Sequence, residues 1–315
     1  MLIERSFSGP RKYQNADEAS LVPSPKLYTF EQAFNNPNLI FNRTKLTPTG
    51  KRFATSIDVM QNFRRVFILF KDVLSVIPEF SKLCESDKMT LGKSRFSVFY
   101  WWLLCCWIAK CGSSGVCYSN GSYFPLDTNF QPIPDLKGIT ELAIEAVSKP
   151  LARLCLTEEE ILIGSVRKMR GIVFFFKQKI NLFTKKFKNQ KKIPSNMCLT
   201  RNHSSDPLPP KMPHASTQIL SNARDRYIQC MINVSSCSEV QSALRLAEIS
   251  LIFPSITVGK LNGIKNSKSF QNFMTPKILN FQNLVHLTSD NIKVLDAMRV
   301  LEADQLFRDV FIVKP

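Results

Sequence analysis

From Ser56 onward apolar residues return every three or four positions: Val59, Phe63, Val66, Phe70, Val73 and Ile77, with Arg64, Arg65, Lys71 and Asp72 between them. That spacing predicts one amphipathic helix. Pro78 ends it, because proline has no N–H and disfavours helical geometry at Ile77. Glu85, Ser86 and Asp87 open the next helix with acidic and capping residues, and it runs to about Lys110. After Arg95 this second helix is apolar on every side, which predicts burial in a middle layer. Gly112–Gly115 close it. The stretch Phe70–Pro125 around that helix is what the rest of the chain has to cover.

Val116–Tyr118 and Ser122–Phe124 flank Ser119-Asn120-Gly121, and Asn-Gly between two short apolar runs predicts a hairpin. Ile139–Leu154 has helical spacing, with Pro150 bending it or starting a new turn. Thr157-Glu158-Glu159-Glu160 is a capping-box start for the helix after it. Helical patterns return at Ile219–Val234 and Glu239–Phe253, then at 292–301 and in a last short amphipathic segment, Leu306–Ile312. Residues 1–37, punctuated by Pro10, Pro23, Pro25 and Pro37, read as a flexible arm with one short turn at Phe30–Phe34.

Composition changes this picture in one respect. The chain has 315 residues, an ordinary 44% apolar fraction and a net charge of +17. Such a charge first suggests nucleic acid or an anionic surface. Yet ten of the basic residues lie in 170–190 and 257–282, two Lys/Asn/Phe/Ile-rich segments without an acid, and without them the net charge is +7. These segments, the first continued by a Pro- and Ser-rich stretch to about 217, read as unstructured inserts. Their composition is what A/T-rich codons encode, so retained introns and long surface loops both remain open.

The nine cysteines have no CxxC spacing, and no histidine stands at ligand distance from a cysteine pair, so no metal or other cofactor is expected. Their place in apolar runs predicts free thiols in a reducing compartment. Glu4 and Arg5, with no apolar core after them, do not read as a signal peptide, and Phe96–Ala109 is too short to span a bilayer. His203, His214 and His286 have no paired acid or nucleophile nearby, so no enzyme is expected.

The run IPEFSKLCESDKMTLGKSRFSVFYWW resembles the signature region of nuclear hormone receptor ligand-binding domains. Phe80, Leu83, Asp87, Leu91 and Lys93 carry that signature's residue types at its spacing. GVCYSNGSYF stands where the family has its small β element, and ITELAIEAVSKPLARLCLTEEEI, ILSNARDRYIQCMI and QSALRLAEISLIFPSI resemble later helices. FNRTKLTPTGKRFA and PEFSKL are similar to the expanded nematode receptors. The resemblance covers about 38–168 and 218–315. It implies an all-α, three-layer antiparallel helical sandwich with one small β-hairpin over residues 38–315.

The resemblance also implies sites. A pocket in the lower half of the domain would be lined by Phe67, Phe70, Trp102, Cys106 and Phe124, each of which reads equally as core. It would take a small apolar ligand or be filled by the protein's own side chains. A groove would receive LxxLL-type coregulator helices between two charges, Lys93 at the C-terminal carbonyls and Asp309 at the N-terminal N–H groups. Leu306, Phe307 and Phe311 would complete the activation-helix pattern around Asp309, and a second family lysine falls at Ser75, where it is absent.

The implied function is transcription regulation in the nucleus, with homo- or heterodimerisation with another nuclear receptor through the 239–253 helix. No cysteine precedes Cys84, so the family's zinc-held DNA-binding module is not in this chain and sequence-specific DNA binding is not expected of it. Either the receptor lacks that module or the sequence is part of a longer product. The competing reading is a basic helical protein that binds nucleic acid non-specifically through the Lys/Phe-rich inserts.

Overall fold

The computed structural model describes residues 28–169, 212–234, 239–252, 256, 284–301 and 303–312. In chain order the elements are α1 (Phe30–Asn35), β1 (Arg52–Phe53), α2 (Ser56–Ser75), α3 (Pro78–Ser81), α4 (Glu85–Cys111), β2 (Gly115–Cys117) and β3 (Ser122–Pro125). They continue with α5 (Ile139–Leu142), α6 (Lys149–Leu154), α7 (Glu158–Met169), α8 (His214–Val234), α9 (Glu239–Ile252), α10 (Leu284–Ala297) and α11 (Gln305–Phe311).

The expected middle helix is α4, and every residue from Arg95 to Ile108 is buried. Phe96 and Phe99 take the rings of α2, with Phe70 at 5.3 and 5.2 Å between centroids. Cys105 stands nine residues after Phe96, half a turn out of phase at about 100° per residue, and its thiol faces the Ala143 carbonyl beyond α5. Trp101 donates its indole N–H to Thr288 of α10 at 2.9 Å, and Trp102 donates to the Ile161 carbonyl of α7 at 3.2 Å. The helix is thus held on opposite faces, and α7 and α8 pack together to extend its layer. This is the expected all-α helical sandwich.

Local chemistry sets the ends. Thr55 and Asp58 form a capping box at the start of α2. Gly112 ends α4 in the left-handed region, φ 62°, which a residue without Cβ adopts at little cost. Between α5 and α6, Ala143–Ser148 widens into a π-turn just before Pro150. The proline cannot donate to the carbonyl one turn back, and the wider turn absorbs the mismatch.

Three expectations are corrected. The hairpin is part of a three-stranded sheet, because β1 pairs in parallel with β3, Arg52 opposite Ser122 and Phe53 opposite Tyr123. A two-residue strand leaves no periodicity to read. It is held instead by side chains: Asp58 grips Arg52 through two 2.8 Å bonds, and Phe53 stacks on Phe130. Residues 28–37 are not part of an arm. They form α1 and a 3-10 turn, with Phe30, Ala33 and Phe34 buried in the body. Residues 214–217, assigned to an insert, begin α8, where the Ser216 hydroxyl donates to the buried Asp87 carboxylate. Phe253, 1–27 and the segments 170–211 and 257–283 lie outside the described residues.

Candidate functional site

The site is built from the last helix inward. Asp304 is the N-cap of α11: one carboxylate oxygen accepts the Phe307 N–H at 2.8 Å, and the other accepts Arg64 Nε and Nη2 at 3.2 and 2.8 Å. Helical spacing then turns Leu306, Phe307 and Phe311 inward and leaves Asp309 on the rim. Phe307 meets Phe63 edge-on at 4.5 Å, and Phe311 lies 5.8 Å from Phe63 and 6.1 Å from Tyr100. The Ser289 hydroxyl donates to the Phe311 carbonyl, tying α11 to α10. The protein's own rings hold α11 against α2 and α4.

A groove runs past Asp309, between the end of α2, α3 and the start of α4, and α1 lies in it. The Phe30 N–H, first of the helix, donates to the Asp309 carboxylate at 2.8 Å. Phe30, Ala33 and Phe34 fall at i, i+3 and i+4 and are buried, while Glu31, Gln32 and Asn35 face solvent. Phe30 stacks on Phe34 at 5.3 Å and meets Phe67 edge-on at 5.4 Å, and Phe34 meets Phe80 at 6.3 Å. Gly92 makes room for the Phe34 ring, from which a Cβ there would stand only 2.7 Å, while Phe30 would lie in ordinary contact at 3.4 Å.

Two ammonium groups border α1. Lys93 is exposed, its nitrogen 5.7 Å from the Phe30 centroid, beside the same residue that Asp309 holds. Lys71 lies 4.1 Å over the Phe34 ring, and burial presses its pKa below the ordinary lysine value. Lys71 was missed because the family register points to Ser75. It stands one turn earlier on the same face of α2, so spacing on the helix, not register, was the signal to use.

The structure places the five pocket candidates on several elements. Phe67 and Phe70 pack on Phe96 between α2 and α4. Trp102 lies against α7, over Gly164. Cys106 is buried, and burial raises its thiol pKa well above the ordinary value. Phe124 is buried in β3. A cleft of about 710 Å³ is walled by residues 42–46 and Pro48, by Arg65, Ile68, Leu69 and Asp72 of α2, by Leu103, Trp107, Lys110 and Cys111 of α4, and by Glu158 and Ile161 of α7. None of the five candidates lines it. Its walls are mixed, with Asp72 gripping Arg43 at 2.8 and 3.0 Å.

Among the described residues no three His, Cys, Asp or Glu side chains cluster so as to hold a metal ion, and no helix is long and apolar enough to cross a membrane.

The profile of the family described as the ligand-binding domain of nuclear hormone receptor matches residues 47–260. The chain is 32% identical over 286 residues to nuclear hormone receptor family member nhr-61 of Caenorhabditis elegans, covering 88% of this chain and 55% of that protein. It is 20% identical over 290 residues to nuclear hormone receptor family member nhr-4 of the same organism, covering 90% of this chain and 46% of that protein. The chain thus spans about half the length of the curated relatives it matches.

Proposed function

The chain belongs to the nuclear hormone receptor family, whose ligand-binding domain it carries, and from that premise we propose that it regulates transcription by receiving coregulator helices in the groove beside Asp309. It is not an enzyme family. The observation that carries the reading is the Asp309 carboxylate accepting the first N–H of a helix whose i, i+3 and i+4 side chains fill the groove. Helix N-termini leave N–H groups without intrahelical partners and carry partial positive charge, so a rim carboxylate favours a helix in this orientation. Leu306, Phe307 and Phe311 keep that carboxylate in position, Lys93 borders the same end, and Lys71 borders the Phe34 end.

In this reading no ligand is needed to hold α11. The rings of Phe63, Phe67, Phe70, Phe96, Tyr100, Phe307 and Phe311 pack on one another beneath it, which supports a helix that closes without one. Work in the nucleus, and dimerisation with itself or another nuclear receptor through α9, extend the same reading. The non-specific nucleic-acid reading rests on 170–190 and 257–282, outside the described residues, and draws no support from the groove.

The test is location. A helical LxxLL peptide with a photoreactive group at its first leucine is expected to label the full chain saturably at residues 71–93 and 305–311, read by mass spectrometry. Labelling that does not saturate, or that falls elsewhere, overturns the groove assignment.

A further inference from the structure

We infer that α1 is a resident occupant of the coregulator groove, an internal competitor that an incoming helix must displace. This rests on the groove reading above and goes beyond it, because it makes occupation by the chain itself the ground state.

Four observations carry it. Phe30-Glu31-Gln32-Ala33-Phe34 has apolar residues at the first, fourth and fifth positions, the spacing an LxxLL helix presents, and only those three are buried. Asp309 holds the helix by its first N–H, as a rim carboxylate would hold a helical peptide. The groove is fitted to the second of these rings: Gly92 stands where any Cβ would strike Phe34. Finally, α1 is a detachable element. It is six residues long, with its own capping box from Thr29 to Gln32, and only Asn36 and the 3-10 turn Pro37–Leu39 tether it to Ile40, Phe41 and Arg43, which are held on the body. An isolated helix of that length is unstable in water, so α1 owes its form to the groove.

The consequence is competition. A tether of this length gives the resident segment an effective concentration of order millimolar. A free coregulator helix of similar intrinsic affinity then binds with its affinity lowered by the fraction of grooves left open. The groove is autoinhibited, and removing the rings of α1 opens it.

Two measurements test this. In the wild-type chain, hydrogen exchange at Ala33–Asn36 is followed with and without saturating LxxLL peptide. Exchange there is expected to rise at least about tenfold as the peptide displaces α1. Peptide that saturates the chain while 33–36 stay protected overturns the inference and leaves the groove free to be something else's site. In the Phe30→Ser/Phe34→Ser variant, with its fold checked by thermal unfolding, a labelled peptide of residues 28–38 is expected to bind, and to be lost on adding Asp309→Lys. LxxLL peptide is expected to bind this variant at least about tenfold tighter than wild type. Failure of the 28–38 peptide to bind the folded variant overturns the resident role. If the 28–38 peptide binds and LxxLL peptide binds neither protein, self-occupation stands and the coregulator reading fails. If LxxLL peptide binds both proteins equally, the coregulator reading stands and the inference fails.

Discussion

The two buried faces of α2 are built in different ways. One face presents Phe63, Val66, Phe67 and Phe70, each fully buried, to the rings of α4 and α11. The other presents Arg65, Ile68, Leu69 and Asp72 to the cleft. The first face is closed by ring against ring, with centroids between 4.5 and 6.3 Å. The second keeps a void and is held by charged contacts such as Arg43 on Asp72. The void therefore lies on the side of α2 away from α11, and none of its lining residues belongs to the last helix. A molecule in the cleft could reach α11 only through α2 or α4. Docking of α11 is an achievement of packing.

Neighbouring residues give the sharpest test of that contrast. Phe67→Ala removes a ring from the dry face and is expected to cost about 3–5 kcal/mol of stability, because the enclosing rings cannot close the hole. Ile68→Ala, one position on, enlarges a space that already exists and is expected to cost about 2 kcal/mol or less, near the transfer term alone. Urea unfolding of the two variants measures the difference. Equal losses would mean that the cleft side is packed as tightly as the aromatic side.

A smaller effect is expected at the joint between the two faces. Asp304 caps α11 and grips Arg64 on the rim of α2. Asp304→Ala removes a cap, about 1 kcal/mol, and leaves a half-buried guanidinium short of its partner, about 1–2 kcal/mol more. Asp304→Asn keeps a capping acceptor and should lose only the second part. The readout is hydrogen exchange at 305–311, which should rise in both variants and more in the alanine one, while α4 stays protected. If α4 loosens as much as α11, the last helix is part of the core and not a docked element.

How much of this was legible in the sequence follows from what each feature depends on. The helix α4 announces itself, because its burial is written in consecutive residues from Phe96 to Ile108. The inward face of the last helix, Leu306, Phe307 and Phe311, was readable for the same reason: local spacing decides which side chains turn inward. The placement of α1 was not legible. Its six residues carry too little periodicity to outweigh the prolines around them, and its burial depends on partners 37 to 279 positions away. Nor could spacing say that Trp102 turns to α7 and not to a ligand. Both directions are apolar, and Gly164, which admits the ring, lies on another helix. Sequence pattern gives the inward face of each helix; which void, if any, that face meets is fixed by long-range packing.

Acid separates the two faces as well. Asp58, at the start of α2, is buried beside β1 and the hairpin. Burial alone would raise its pKa, but the Arg52 guanidinium, the Thr55 N–H and hydroxyl and the Asn120 amide all stabilise the charged form, and the net result is a carboxyl held well below the ordinary range. The folded chain therefore binds this proton less readily than the unfolded chain, whose aspartate titrates near pH ~3.9. Stability from Asp58 is fully present above that value and is lost as the pH falls through it toward the folded pKa. Glu160 acts in the same direction: burial raises it, but the hydrogen bond from Arg245 and the Thr157 N–H more than reverse this. Unfolding free energy measured between pH 7 and pH 2.5 should thus fall with acid in the wild type. Asp58→Asn should flatten the curve by about 1–3 kcal/mol, with Glu160 supplying part of what slope remains. Phe67→Ala, on the aromatic face, should lower the whole curve without changing its slope. Acid that weakens the Asp58→Asn variant as steeply as the wild type would show that the charged side of α2 contributes nothing by its ionic contacts, and the contrast between the two faces would reduce to one of shape.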